Sequence, residues 1–238
     1  MNTFQTSSSG STLGAVAKIN GFIRGVFSWM FLALAITSVT AFLFAANPSL
    51  MALLLKPTGG LSITGYVVMF APLGFAILMS AAFNRLSFST LALLFIIYSL
   101  LMGMSLSFIF LTFSIESIFL CLGITAGMFG TMAVAGYFTK TDLTGFGSIL
   151  RMALIGIIIA SLVNIFMKSD TMDWIISYAG VAIFTGLTAY DVQKLKAIGM
   201  QDVDGNTKAK LSLIGALTLY LDFVNLFLML LRIFGDRK

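Results

Sequence analysis

The chain has 238 residues, 59% of them hydrophobic and 10% charged. Its apolar fraction matches what seven membrane-spanning helices of about 20 residues would need, while a soluble domain carries roughly 25% charged residues. The net charge of +5 then speaks to orientation and anionic lipid. A cytosolic globular enzyme, a disordered chain and a nucleic-acid-binding domain are excluded as first readings.

Residues 1–24 are rich in Ser, Thr and Gly, with Lys18 and Arg24 before the first apolar stretch. They read as a polar N-terminal tail. The apolar run that follows, Gly25 to Ala46, is longer than the 7–15 residues of a cleavable signal core. Charge-free runs then predict helices at about 25–46, 62–83, 88–111, 117–138, 148–167, 174–192 and 212–234. The chain therefore divides into the tail, a seven-helix transmembrane domain over 25–235, and a C-terminal tail at 236–238. Trp29 and Trp174 suit interfacial positions. Pro72 with Gly74 predicts a kink in the second helix. Gly123 and Gly127 form a G-x-x-x-G spacing, which predicts close helix packing in the fourth.

Lys and Arg in the short loops set the orientation. With the N-terminus cytoplasmic, the inner side holds Lys18, Arg24, Arg85, Lys140, Arg151, Lys194, Lys196, Lys208 and Lys210, and the outer loops only Lys56 and Lys168. Arg232, Arg237 and Lys238 join the outer side if the last segment crosses, and the inner side if it dips in and returns. Charge prefers the return. Length prefers the crossing, since 23 residues at about 1.5 Å each reach roughly 34 Å, and seven crossings are expected. The stretch between the sixth and seventh helices reads as the longest and most charged loop. Its Asp202, Asp204 and Asn206 do not make an EF-hand, because glycine falls at Gly205 and Leu213 stands where Glu is needed. No internal repeat is evident.

With no histidine in the chain, His-ligated metals, Ser-His-Asp or Cys-His catalysis and a histidine switch are excluded. The one cysteine, Cys121, lies in an apolar run and reads as a small buried hydrophobe. An acid inside a membrane helix is expensive and points to function, and two qualify, Asp191 and Asp222. Asp222 belongs to a stripe of Gly215, Thr218, Asp222, Asn225, Met229 and Arg232, stepping by three and four within an arc of roughly 100°. Such a stripe faces protein or a water-filled cavity. Thr185, Thr188 and Asp191 form a looser counterpart on the sixth helix. If the two carboxyls meet away from water, both cannot ionise cheaply, and they can share a proton. Protonated, they tie the two helices together. Ionised, they repel, and a hard cation relieves the repulsion. Oxygen-only ligands favour Ca²⁺ over transition metals. The competing reading is a structural acid paired with Arg85, Lys194 or a backbone group. Depth is an obstacle: Asp222 lies roughly 15 Å into its helix, whereas Asp191 closes the predicted sixth.

Tyr190-Asp191-x-Gln193 followed by Leu219-Tyr220-Leu221-Asp222-Phe223-x-Asn225-Leu226-Phe227 resembles the Bax inhibitor-1 family of membrane proteins. The similarity is strongest over about residues 180–235. The resemblance implies an all-α polytopic membrane protein of seven transmembrane helices, the last central in the bundle. It implies a pH-sensitive calcium leak channel gated by Asp191 and Asp222, with Ca²⁺ held transiently by the same two acids and no resident cofactor. Arg85 maps by location onto the family's basic partner, and Tyr190, Thr218, Tyr220 and Asn225 support the site. The implied home is a bacterial inner (plasma) membrane. The implied partners are the lipid bilayer, calcium ions and, for some bacterial relatives, a membrane protease, with no nucleic acid. A non-transporting regulator of such a protease or of a stress-response partner is the alternative. An intramembrane aspartyl protease is disfavoured, since Asp222 lacks the preceding Gly-x-Gly of that class and no Pro-Ala-Leu follows. The chain is therefore not read as an enzyme.

Overall fold

The computed structural model describes the backbone from residue 6 and the side chains from residue 17. Residues 1–5 of the expected tail lie outside the described residues. The helices in chain order are α1 (Thr6–Ala46), α2 (Pro48–Leu54), α3 (Ile63–Ala81), α4 (Phe88–Leu106), α5 (Ile109–Thr112), α6 (Ile115–Phe138), α7 (Thr144–Met167), α8 (Asp170–Met200) and α9 (Gly205–Phe234). Seven segments are long and apolar enough to cross a membrane: α1 from Ala17, α3, α4 with α5, α6, α7, α8 and α9.

Short polar residues start these helices. Ser62, Ser87, Ser114, Ser169 and Asp204 each sit at an N-cap, where the side-chain oxygen accepts from a backbone N–H of the first turn. At these ends the cap supplies an acceptor for a donor that has no partner within the helix.

Three boundaries differ from expectation for one reason. Charge marks where a helix leaves hydrocarbon, and the backbone need not stop there. The helix α1 runs unbroken through residue 25, because Ile19 and Phe22 are buried and pack against Gly199 of α8. The helix α8 continues past residue 192 to Met200, burying Leu195 against Gly215 of α9. At 30 residues, α9 is about 45 Å long, and it starts at the Asp204 cap. The expected long charged loop shrinks to Gln201–Asp204 between the two helices.

The bundle is built around α8 and α9. Of the apolar window of each, 61% and 72% is buried, against 11–28% in the other five spans. The helix α9 packs against α8, α1, α6 and α4, while α7 docks on α8. Close backbone approach uses glycines other than the predicted pair. A Cβ on Gly136 of α6 would lie 2.2 Å from the Ala189 carbonyl oxygen of α8, and one on Gly103 of α4 would lie 2.6 Å from Thr40 of α1. Gly123 and Gly127 instead have open space around them and are exposed. Their G-x-x-x-G spacing serves no contact inside this bundle. Pro72 is buried within α3, and the helix is assigned continuously through it.

The C-terminus decides between crossing and return. Arg237 forms a bridge with Phe113, Ser114 N donates to the Asp236 carbonyl at 3.0 Å, and Lys238 N donates to the Thr112 carbonyl at 2.9 Å. The Asp236 N–H also donates to Ser117 Oγ at 3.0 Å. The last residues are thus clasped to the turn before α6. By chain alternation that turn lies at the end of the bundle opposite the α3–α4, α6–α7 and α8–α9 turns, so α9 crosses.

Two outcomes follow from this packing. Gly136→Ala is expected to destabilise the protein by about 1–3 kcal/mol, whereas Gly123→Ala leaves it unchanged or gains about 0.5–1 kcal/mol from the helix backbone; unfolding titrations in detergent measure both. Just outside the α9 span, the Asp204 carboxyl is held below the usual aspartate range by the Thr207 side chain and then its backbone N–H. A depressed carboxyl stabilises above its unfolded value of about 3.9 and loses that contribution as pH falls through the folded value. The protection of the Thr207 and Lys208 amides, exchange being taken relative to the intrinsic rate at each pH, should therefore fall on acidification below about pH 4, and Asp204→Ser, which keeps the cap without the titration, should abolish the fall.

Candidate functional site

The site lies where α8 and α9 run antiparallel. Gly180 of α8 faces Met229 of α9, Leu195 faces Gly215, and Lys208 Nζ donates to the Gly199 carbonyl at 3.1 Å. Between these contacts sit Asp191 and Asp222, 9% and 5% exposed. Their carboxyls lie within hydrogen-bonding reach of each other, a geometry in which two acids can share one proton. The continuation of α8 to Met200 removes the depth obstacle, because Asp191 lies more than two turns inside its helix.

The other stripe residues divide by what they touch. The Thr218 hydroxyl donates to the Ile214 carbonyl at 3.1 Å and the Asn225 amide to the Leu221 carbonyl at 2.8 Å. On α8 the Thr188 hydroxyl does the same with the Phe184 carbonyl at 2.8 Å. These groups satisfy themselves on their own helices. Asp222 Oδ2 and Thr185 Oγ1 are buried with no hydrogen-bond partner among the described residues. In an apolar interior an orphaned carboxyl oxygen is costly, and it is available to a proton, a water or a cation. Arg232 is exposed at the far end of α9, away from the pair.

Tyr220 and Tyr190 hold the site without belonging to it. Tyr220 is fully buried; its hydroxyl meets Thr37 Oγ1 of α1 at 2.8 Å, and the Thr37 hydroxyl donates onward to the Ser99 carbonyl of α4 at 3.0 Å. Its ring lies edge-on to Tyr98 and Phe95, with centroids 5.4 and 6.3 Å away. The Tyr190 ring packs against Gly147 of α7 and carries the Arg151 guanidinium 5.2 Å from its centroid. Arg85, the expected basic partner, is exposed on the turn after α3, and the cations that act on Asp191 are Lys194 and Arg151. In the sequence Arg151 counts only as an orienting charge; its place over Tyr190, on α7 one turn from Gly147, is visible only in three dimensions. Gln193 of the first motif has a role that its type alone did not reveal. Its Oε1 accepts from Leu143 N and its Nε2 donates to the Thr141 carbonyl, both at 2.8 Å, clamping the α6–α7 turn to α8 beside the acids. Cys121 is buried, its thiol directed at the Leu230 carbonyl at 3.7 Å.

Among the described residues no group of three or more His, Cys, Asp or Glu assembles. Ca²⁺ takes six to eight oxygens. The two carboxyls alone would fall short of such a shell and would need water and carbonyl oxygens to complete it.

Residues 19–238 match the family described as "Inhibitor of apoptosis-promoting Bax1". The chain belongs to the Bax inhibitor-1 family. It is 46% identical over 224 residues to "Inner membrane protein YbhL" of Escherichia coli K12, covering 93% of this chain and 94% of that protein. It is also 43% identical to an uncharacterized protein of Borreliella burgdorferi, across 92% of this chain and 93% of the other, and 41% identical to "Uncharacterized protein RP147" of Rickettsia prowazekii, across 95% and 97%. The family match begins at Ile19, the first buried residue of α1 among those whose side chains are described.

The Tyr220–Thr37 bond ties the central helix of this family member to α1. A double-mutant cycle of Tyr220→Phe and Thr37→Val is expected to give a coupling of about 0.6–1.7 kcal/mol, the range of hydrogen bonds between membrane helices. Unfolding in mixed detergent micelles supplies the four stabilities.

Proposed function

We propose that this chain is a pH-sensitive calcium leak channel of a bacterial inner membrane, with its N-terminus in the cytoplasm, gated by Asp191 and Asp222. The observation that carries the reading is the carboxyl pair itself: two acids from different helices, both buried, within reach of each other, with Asp222 Oδ2 given no other hydrogen-bond partner among the described residues. With one proton shared, the pair holds α8 against α9. Loss of that proton leaves two like charges in a poorly solvated site, where their repulsion is strong. The helices then separate or admit a cation, and a hard divalent ion neutralises both charges at once. The leak therefore rises as the pair ionises. Membership of the family, the inner-membrane name of the E. coli relative and the excess of Lys and Arg on one set of turns support the remaining parts of the proposal.

The test is Ca²⁺ entry into proteoliposomes over a pH series. Wild type should show flux that increases with pH through one transition. Asp191→Asn and Asp222→Asn, which keep a hydrogen-bonding side chain without the paired charge, should each flatten that profile. Variants that retain the wild-type profile would overturn the channel reading and leave the non-transporting regulator in its place.

A further inference from the structure

The end of the bundle where α9 finishes carries cations that the rule for outer loops disfavours. Lys168, Arg232 and Arg237 line one cavity there, of about 900 Å³, between α7, α8 and the C-terminal clasp. Among the described residues none of the three makes an ion pair, the single pair being Lys18 with Asp202. Two acids share the lining, Asp170 and Asp173, and Asp173 is already engaged by Asn164 Nδ2 at 2.7 Å.

Two features hold these cations in place. The bridge between Arg237 and Phe113 fixes the backbone of the tail at the cavity wall. Lys168 sits at the C-cap of α7 with φ 51°, ψ 41°, the left-handed region that glycine or asparagine ordinarily occupies at such a cap. It is the only non-glycine residue with positive φ among those described. The conformation is enforced by Lys168 N donating to the Asn164 carbonyl at 2.8 Å and by Asn164 Oδ1 accepting from Ser169 N at 3.1 Å. A lysine kept where glycine would be unstrained points to a use for its charge.

The surroundings are amphipathic. Ile165 on the lining is 65% exposed, and Phe166 and Phe234 beside it are 87% and 54% exposed. Trp174 on the rim stacks on Tyr178, with centroids 5.7 Å apart, as aromatic residues do at headgroup level. A polar, cation-lined cavity thus borders an apolar surface at the ends of the spans.

We infer that this cavity binds the phosphate of an anionic phospholipid, with Lys168, Arg232 and Arg237 meeting the headgroup and the exposed Ile165, Phe166 and Phe234 flanking its acyl chains. Arginine matches phosphate oxygens in a bidentate manner and lysine adds a point charge. The site stands apart from the Asp191–Asp222 pair and does not depend on the channel reading.

The purified full chain in detergent is titrated with phosphatidylglycerol, phosphatidylcholine and glycerol 1-phosphate. Binding is read by native mass spectrometry and melting temperature. Phosphatidylglycerol should stay bound and raise the melting temperature, while the other two do neither. Arg232→Gln with Arg237→Gln should weaken phosphatidylglycerol binding by on the order of 25-fold, about fivefold per cation. Lys168→Gly should weaken lipid binding and at the same time raise the melting temperature of the lipid-free protein, because glycine takes the left-handed conformation without strain. Lys56→Gln, an outer-end cation away from the cavity, should change nothing. Equal binding of the two lipids, an equal shift with glycerol 1-phosphate, or undiminished binding in the Arg and Lys168 variants would overturn the inference.

Discussion

Two carboxyl groups buried between antiparallel membrane helices must be satisfied by each other or by something that comes and goes. Lipid offers no hydrogen bonds, and an isolated charge there is costly. A hydrogen bond between Asp191 and Asp222, which lie within reach of each other, would answer this requirement only while a proton is present. Much of the bundle can be understood from the geometry this pair needs. The helices α8 and α9 have to run close and in register, and the small residues at their contacts, Gly180 beneath Met229 and Gly215 beneath Leu195, let them do so. Neighbouring hydroxyl and amide groups bond back to their own helices, so few other polar partners compete for the acids.

The remaining elements brace this pair of helices from both ends. At the end holding the α6–α7 turn, Gln193 grips that turn, and Lys196 Nζ donates to the Tyr137 carbonyl at 2.8 Å. At the opposite end, the C-terminal clasp ties α9 to the start of α6. Along the middle, Tyr220 bonds through Thr37 to α4. The phosphate site inferred at the clasped end sits on the same scaffold and gives the far-side cations a reason to be there.

Much of the candidate site was legible in the chain, though unevenly. Asp191 and Asp222 stood out because acids are rare in apolar runs, and the stripe on the last helix followed from its three-and-four spacing. Gln193 lay in plain view two residues beyond Asp191, but its partners come from the α6–α7 turn, far away in sequence. Arg85 was favoured by its position at a helix end, yet Arg151 and Lys194 are the cations near Asp191, since which turns lie together depends on how helices are arranged around the bundle. Gly123 and Gly127 show the same limit: their spacing is right for packing, and they face outward.

The sequence by itself determined the number of crossings, their order and which residues are too polar to face lipid. Those properties depend on composition along the chain, and the bilayer reads composition as depth. Only the tertiary structure decided which flank of each helix meets protein, that α8 and α9 extend beyond their charge-free runs to bring the acids level, and that the two carboxyls come within reach of each other. The physical reason is that lipid and protein interior are almost equally apolar. Hydrophobicity therefore tells where a helix is buried along its length but leaves its rotation to the fit of one helix surface against the next.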